Sequence, residues 1–195
     1  MRNFIVPPRD GKRAMTHHKN ITDLIGYWSD KKAGFKAPLR AAIYPGDFLA
    51  VLPQILIVGR AAAGTYPVRL AGGFVDLTLG RSLHQQNLLD LFDKDSRKII
   101  SGLIENSRVQ VEPCVLSAQG QTKKGSERHY QLMIAPLTGP SGLSDRFLCL
   151  LQPLTAQFEG DDIRISGLTL SHADRTAYRP ATFPALVTDN GRHVA

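Results

Sequence analysis

The first apolar pattern along the chain has helical spacing. Four apolar residues recur at intervals of three and four positions, which places them on one face of an α-helix. Asn20 precedes them as a capping residue, so the pattern predicts an amphipathic helix within the segment 20–36. We expect Gly34 to end the helix. An isolated helix this short is marginal in water, so its apolar face must pack on its own domain or on a second subunit. The four residues of this face are Ile21, Leu24, Ile25 and Trp28.

Shorter apolar segments further along predict strands in two groups. Residues 55–58 and 66–70 form the first group, with a turn between them that contains Gly64 and suits a hairpin. Three segments joined by turn-rich loops form the second group, and in the middle one apolar residues alternate with more polar ones. That alternation predicts a sheet with one buried face. The three segments are 109–119, 127–137 and 146–154, and the alternating apolar residues are Tyr130, Leu132 and Ile134.

A helical region separates the two strand groups. Its second half predicts one longer helix, capped by Asp93 or Asp95 and apolar on one face at Ile99, Ile100 and Leu103. The order of elements therefore favours an α+β domain, with a single antiparallel sheet and the helices on one face. Residues 156–195 show weaker signals: "DDIRISGLTLSH" could add a strand, and the rest is interrupted by prolines and predicted to be irregular.

Three glycines punctuate the segment "LAGGFVDLTLG" between the strands and the helical region. The segment has no Gly-Lys-Ser/Thr, no G-x-G-x-x-G and no G-x-S-x-G, so phosphate-binding loops and a hydrolase elbow are disfavoured. A structural corner is the better interpretation, with a positive φ at Gly72, Gly73 or both. Gly80 closes the segment and lets the chain turn again.

The positive charge of the chain is concentrated at its N-terminus. Residues 1–40 carry nine Lys and Arg and three Asp, so they hold +6 of the total net charge of +7. We expect residues 1–19 to form a basic, flexible tail. Such a tail can meet nucleic acid, an anionic membrane or an acidic partner. Nucleic acid is disfavoured because the tail lacks the interleaved aromatic residues on which bases stack.

The two cysteines predict a reducing environment. Cys114 and Cys149 lie in apolar, strand-like surroundings, where a thiol behaves as a small hydrophobic group, and they have no metal-ligand spacing. The N-terminus has no continuous apolar region of the kind found in secretory signals. No apolar run approaches the length of a transmembrane helix. We therefore expect a cytoplasmic protein without a membrane span.

Several short motifs resemble a family of known fold. The chain is similar to PAS domains over residues 20–155, and within them to a subgroup of single-PAS regulatory proteins common in alphaproteobacteria. Two positions depart from the subgroup's usual "YRLAGT…YGR": Val68 stands for the first tyrosine, and "LGR" stands for "YGR". The motifs that carry the resemblance are "YW" at 27–28, "PLR" at 38–40, "LP-x-I" at 52–55, "RLAG" at 69–72 and "GRSL" at 80–83.

The resemblance implies a PAS-like five-stranded antiparallel sheet with helices on one face, over residues 37–155. The N-terminal helix would precede it, and residues 156–195 would form a C-terminal extension. Between the sheet and the helices we expect a group of apolar side chains to converge, where PAS domains can hold a small ligand. A filled core is the alternative. The expected lining residues are Phe74, Leu77, Leu88, Leu91, Ile100, Leu103, Leu132, Ile134 and Leu150.

No cofactor is predicted. Some PAS domains hold haem through a histidine of the helical region, which makes His84 a minor possibility, although a single histidine is more often a surface group. The cysteine motif of flavin-binding photosensory PAS domains is missing, because both cysteines lie on predicted strands. The serines and histidines form no recognisable hydrolytic set, so we do not expect an enzyme.

Three functions remain after these observations. The first is a regulatory or sensory bacterial protein that acts through protein partners or as a homodimer, with the helix at Ile21, Leu24, Ile25 and Trp28 as its interface. Packing of Trp28 in its own core is an equally good alternative. The second is a sensor with a small ligand in its PAS core. The third is a nucleic-acid-associated protein that uses the basic N-terminus.

Overall fold

The computed structural model describes residues 16–34, 36–154 and 163–173. Three α-helices are present: α1 (Lys19–Asp30), α2 (Gly73–Leu79) and α3 (Lys94–Gln110). Shorter 3₁₀ helices cover Arg40–Ala42, Pro45–Gln54 and Leu88–Leu91. The predicted basic tail (1–19) lies almost entirely outside the described residues, as does most of the predicted C-terminal extension.

Six strands form one antiparallel sheet. They are β1 (Ile55–Gly59), β2 (Val68–Ala71), β3 (Cys114–Gln121), β4 (Glu127–Leu137), β5 (Arg146–Pro153) and β6 (Thr169–Ala173). Their order across the sheet is β2-β1-β5-β4-β3-β6. The α+β class and the two strand groups are confirmed. The five-stranded count is one short, because "GLTLSH" does form a strand and pairs with the edge of β3.

The capping residues in the structure differ in part from those predicted from the sequence. His18, rather than Asn20, caps α1: its side chain accepts a hydrogen bond from the Asn20 N–H, and the helix ends at Asp30, before the predicted Gly34. Asp93 caps α3 by accepting from the N–H groups of Asp95 and Ser96. Ser96 also donates its hydroxyl to the Asp93 carboxylate, and hydrogen bonds from Ser96 hold the pKa of Asp93 below its usual range.

Both faces of the sheet are buried, which corrects the expectation of one buried face. On the inner face the sheet packs against α2, α3 and the 3₁₀ segment at 88–91, and alternate residues of each strand point there. The outer face packs against α1 and the segment 37–52. Gln131 and Met133, which alternate with the predicted inward residues of β4, are therefore also buried, under α1. The helices are not confined to one face.

Only one of the three glycines in the corner needs a left-handed backbone. Gly72 has φ −71° and ψ 152°, and Gly73 begins α2, so the predicted positive φ at this pair is wrong. Gly72 is required by space instead: a Cβ there would overlap the Pro53 carbonyl and lie 2.6 Å from the Leu52 oxygen. Gly80 has φ 66° and ends α2 in the left-handed conformation, as a glycine C-cap does.

Candidate functional site

Most of the predicted pocket residues do converge on the inner face of the sheet. Side chains of the 88–91 segment, α3 and β4 form one continuous apolar cluster, and Phe74 packs against it while partly buried. These side chains are fully buried, since those from Leu88, Ile100 and Ile134 are each 0% exposed. The predicted residues inside the cluster are Leu88, Leu91, Ile100, Leu103, Leu132 and Ile134.

Two predicted pocket residues lie elsewhere. Leu77 is 48% exposed, because α2 begins at Gly73 and turns Val75 and Thr78 toward the core instead. Leu150 belongs to the outer cluster, since its neighbours Cys149 and Leu151 point inward and side chains alternate along a strand. The correction follows from register, which a continuous apolar run such as "FLCLLQ" does not reveal.

The predicted interface face of α1 is already occupied within the chain. Ile21, Leu24 and Trp28 are buried against the outer face of the sheet, and Ile25 packs partly buried beside them. Trp28 donates its indole N–H to the Pro136 carbonyl oxygen at 2.7 Å. The helix therefore packs on its own domain, and the prediction that these residues form a partner interface is wrong.

Two buried glutamines fix the start of α1 on the sheet. Gln131 accepts a hydrogen bond from the His18 N–H and donates one to the Thr16 carbonyl, both at 2.9 Å. Its cross-strand neighbour Gln152 accepts from the Asn20 side chain at 2.9 Å. Buried polar groups of this kind are costly unless paired, so they favour one position of the helix.

Two hydroxyl groups are buried on the inner side without a hydrogen-bond partner among the described residues. The side chains of Thr78 on α2 and Tyr130 on β4 are both 0% exposed, and neither hydroxyl has a partner there. Burial raises the pKa of Tyr130 to about 12. A buried hydroxyl left unpaired costs about 1–3 kcal/mol, so these two groups mark where the core is incompletely satisfied.

Another tyrosine of the same core shows full pairing. The Tyr66 hydroxyl lies 2.8 Å from a Glu105 carboxylate oxygen, to which it donates, and 3.2 Å from the Ser101 hydroxyl. Glu105 also accepts hydrogen bonds from Arg60 at 2.8 Å and Arg108 at 3.1 Å. Burial acts to raise the pKa of Glu105, but these three donors outweigh it and lower the pKa overall. This network joins α3 to β1 and its neighbouring loop.

A segment of the C-terminal region crosses the inner side of the domain. We call residues 163–168 the strap. Its backbone bonds to three separate elements: Ile165 N–H donates to the Thr78 carbonyl at 2.8 Å, Ser166 N–H to Gln121 at 3.1 Å, and Leu168 N–H to Leu91 at 2.8 Å. Ile165 and Leu168 are buried in the inner cluster at 5% and 2% exposure. The strap is thus part of the core wall.

Glycine makes room for the strap on β3. Gly120 is the inward-facing residue two positions after Ala118, and Ala118 pairs directly with Tyr130. A Cβ at Gly120 would lie 2.7 Å from the Ile165 Cδ1 atom and 2.8 Å from the Gly167 carbonyl oxygen. Both residues with unpaired hydroxyls thus belong to elements beside the strap: the Thr78 carbonyl accepts a hydrogen bond from it, and Tyr130 pairs with Ala118, two positions before Gly120.

A polar groove of about 520 Å³ runs along the solvent side of the strap. Its walls come from four places: the end of β3, the end of the 88–91 segment with the residue that follows it, the start of α3 with its cap, and the strap with the first residue of β6. Arg97 lies in this groove and pairs with Asp90 at 3.1 Å. Sequence reasoning missed both strap and groove, because the two buried residues of the strap, Ile165 and Leu168, are too few to establish a helical or a strand spacing.

The remaining candidate groups do not form a site. His84 is exposed, and its Nδ1 atom lies 3.2 Å from the Arg69 carbonyl, so it does not point into the core and does not suit haem ligation. Burial raises the pKa of Cys114 to about 12 and that of Cys149 well above its usual value. Over the described ranges, no group of three or more His, Cys, Asp and Glu could hold a metal ion. No helix within them is long and apolar enough to cross a membrane.

The sheet order β2-β1-β5-β4-β3, with helices between β2 and β3 enclosing an apolar core, defines a sensory-domain fold. The chain matches the PAS domain family over residues 15–152, most of its length, and belongs to that family. This membership indicates a sensory or regulatory role. A search of functionally described proteins finds no match.

Solved structures similar to this one include several light-oxygen-voltage domains. One, from work with a flavin analogue, has a TM-score of 0.43 and 18% identity over 59% of this chain and 88% of its own. The light state of the Aureochrome1 LOV domain has a TM-score of 0.41 and 16% identity, with coverages of 58% and 89%. The Rhodobacter sphaeroides LOV protein has a TM-score of 0.42 and 17% identity, with coverages of 56% and 67%. At these scores the likenesses carry no argument about ligand or partner.

Proposed function

We propose that this chain is a non-catalytic sensor whose PAS core binds a small, mostly apolar molecule bearing one hydrogen-bonding group. The observation that carries the proposal is the unpaired, fully buried hydroxyl of Tyr130, together with that of Thr78. A ligand hydroxyl or carbonyl beside them would supply the missing partner, while its apolar part would replace core side chains. Binding sites of this composition, apolar with a few polar groups, are typical for small molecules.

The same core satisfies the hydroxyl of Tyr66 with three groups, so the hydroxyl of Tyr130 differs from that of Tyr66 in having no partner among the described residues. Burial of an unpaired polar group opposes folding. A structure that keeps two of them on one side of the core gains if a bound molecule completes their hydrogen bonds. A ligand of this kind therefore stabilises the domain as well as signalling its own presence.

The signal would leave the domain through contact with another protein in the cytoplasm. Support comes from three apolar side chains on the surface segment that follows α1: Leu39, Tyr44 and Leu49 are 58%, 60% and 66% exposed. A non-catalytic role is proposed because the sequence carries none of the nucleophile or nucleotide-binding motifs considered above. The coupling of core occupancy to that contact is the regulatory step.

The proposal is tested by identifying what the core contains. The protein is purified from the cells that naturally make it, denatured, and the released small molecules are identified by liquid chromatography and mass spectrometry. We expect one molecule to be enriched near one equivalent in the wild-type protein and strongly depleted in the Thr78→Val/Tyr130→Phe variant. Gly26→Ala, at a helix position with open space around it, is the matched control and should retain the molecule. Equal recovery from both variants, or none from the wild type, overturns the proposal.

A further inference from the structure

The strap has two chemically different sides. Ile165 and Leu168 point into the inner apolar cluster, whereas Ser166 is exposed and lines the polar groove, and Arg164 is exposed beside Gly80 at the end of α2. It is held mainly by backbone hydrogen bonds to three elements, α2, the 88–91 segment and β3, none of which is its neighbour in sequence. The strap is therefore a separate piece of chain that closes the core by inserting two side chains.

The strap continues directly into β6, the edge strand of the sheet. β6 pairs with β3 at Ala118 and Gln119, and the Leu170 N–H donates to the Ser96 hydroxyl at 3.0 Å. That hydroxyl in turn bonds Asp93, the cap of α3. A displacement of Ile165 and Leu168 from the core would therefore pull on the sheet edge and on the start of α3 together.

We propose that the strap is a displaceable gate: a molecule that enters the PAS core takes the place of Ile165 and Leu168 and thereby detaches the strap and β6 from β3. The inference rests on the proposed function, since it names how occupancy of that core is regulated and passed on. The polar groove along the strap is the entrance, and the strap and β3 residues among its walls separate when the gate opens. Ile165 and Leu168 are members of the inner cluster while the strap is docked, so an occupant of their positions competes with the strap for one space.

Gly120 offers a way to open the gate without altering a core side chain. In Gly120→Ala the new Cβ would meet Ile165 Cδ1 and the Gly167 oxygen at 2.7 and 2.8 Å, distances that force the strap outward. We expect the amides of Ile165 and Leu168 to exchange hydrogen about tenfold faster than in the wild type, with the amides of β1 unchanged. The dye 8-anilinonaphthalene-1-sulfonate, which binds exposed apolar surface, should fluoresce more with this variant. Gly26→Ala should behave as the wild type in both measurements.

A reversible disulfide between β3 and β6 tests the gate itself. Gln119 and Thr169 are directly paired across β3 and β6, and directly paired residues of antiparallel strands lie close enough for a disulfide. In Gln119→Cys/Thr169→Cys the oxidised form should bind the dye about tenfold more weakly than the reduced form, because a locked β6 holds the strap in place. The native thiols of Cys114 and Cys149 are buried with raised pKa values and should not take part in thiol–disulfide exchange with the engineered pair.

Dye binding that is equal in the oxidised and reduced forms overturns the gate, as does unchanged exchange at Ile165 and Leu168 in Gly120→Ala. These readouts are independent of the natural ligand. A failure of the proposed function, seen as no molecule recovered from the core, would leave them unaffected. A failure of the gate would leave the extraction result unaffected in turn.

Discussion

Trp28 donates its indole N–H to the Pro136 carbonyl oxygen at 2.7 Å, and this bond joins the outer helix to the central strand β4. Trp28 is 1% exposed, so the largest side chain of α1 packs against the sheet of its own domain. The same strand carries Tyr130, Leu132 and Ile134 on its opposite, inner face. The outer helix and the candidate ligand core are therefore the two sides of one strand.

Trp28→Phe should destabilise the domain without changing its oligomeric state. The substitution leaves the Pro136 carbonyl buried without its donor, at a cost of about 1–3 kcal/mol, and adds a cavity penalty. Urea denaturation measures the loss, with the exposed Tyr44→Phe as a control expected to stay within about 0.5 kcal/mol of the wild type. A change of mass by light scattering with unchanged stability would show that this face of α1 serves a partner after all.

Glu105→Gln should lower the free energy of unfolding at neutral pH and make that free energy depend less on pH in the acidic range. The folded pKa of Glu105 is lowered, so its contribution is complete above the unfolded value of about 4.3 and is lost as pH falls through the folded pKa. We expect a loss of about 1–3 kcal/mol at pH 7, because the donors Arg60, Tyr66 and Arg108 lose a charged acceptor. Denaturant titrations from pH 7 to pH 3 should show the difference from the wild type shrinking. A difference that stays constant with pH contradicts this account of the network.

Two adjacent glycines should respond oppositely to the same substitution. In Gly72→Ala the Cβ meets the Pro53 and Leu52 carbonyls, and the backbone must move, which we expect to cost more than about 2 kcal/mol. In Gly73→Ala the Cβ meets open space at the first position of α2, which should stabilise by about 0.4–1 kcal/mol. Thermal unfolding of the pair is an internally controlled test. Equal effects of the two changes would contradict the close approach at Gly72.

The order of elements along the chain could be predicted from sequence because it rests on local patterns and turn residues, and the PAS fold could be predicted from the motifs that carry the resemblance. Leu77 and Leu150 were misplaced for a different reason: which face a residue takes depends on where α2 begins and on the register of β5 against β4. The burial of Trp28 depends on α1 reaching the outer face, a long-range contact that its helical periodicity does not encode. The strap was missed because its two inward residues, Ile165 and Leu168, show no helical or strand period.

The central claim is that the buried Tyr130 hydroxyl is kept for a bound molecule, and Tyr130→Phe tests it most directly. The free energy of unfolding is measured for this variant and the wild type in two preparations: protein as purified from its natural cells, and protein refolded after its small molecules have been extracted. In the extracted protein we expect Tyr130→Phe to equal or exceed the wild type by up to about 1–3 kcal/mol, because an unpaired hydroxyl is removed. As purified, the variant should be less stable, because a ligand that stabilises the wild type is lost. The same stability difference in both preparations would contradict the claim.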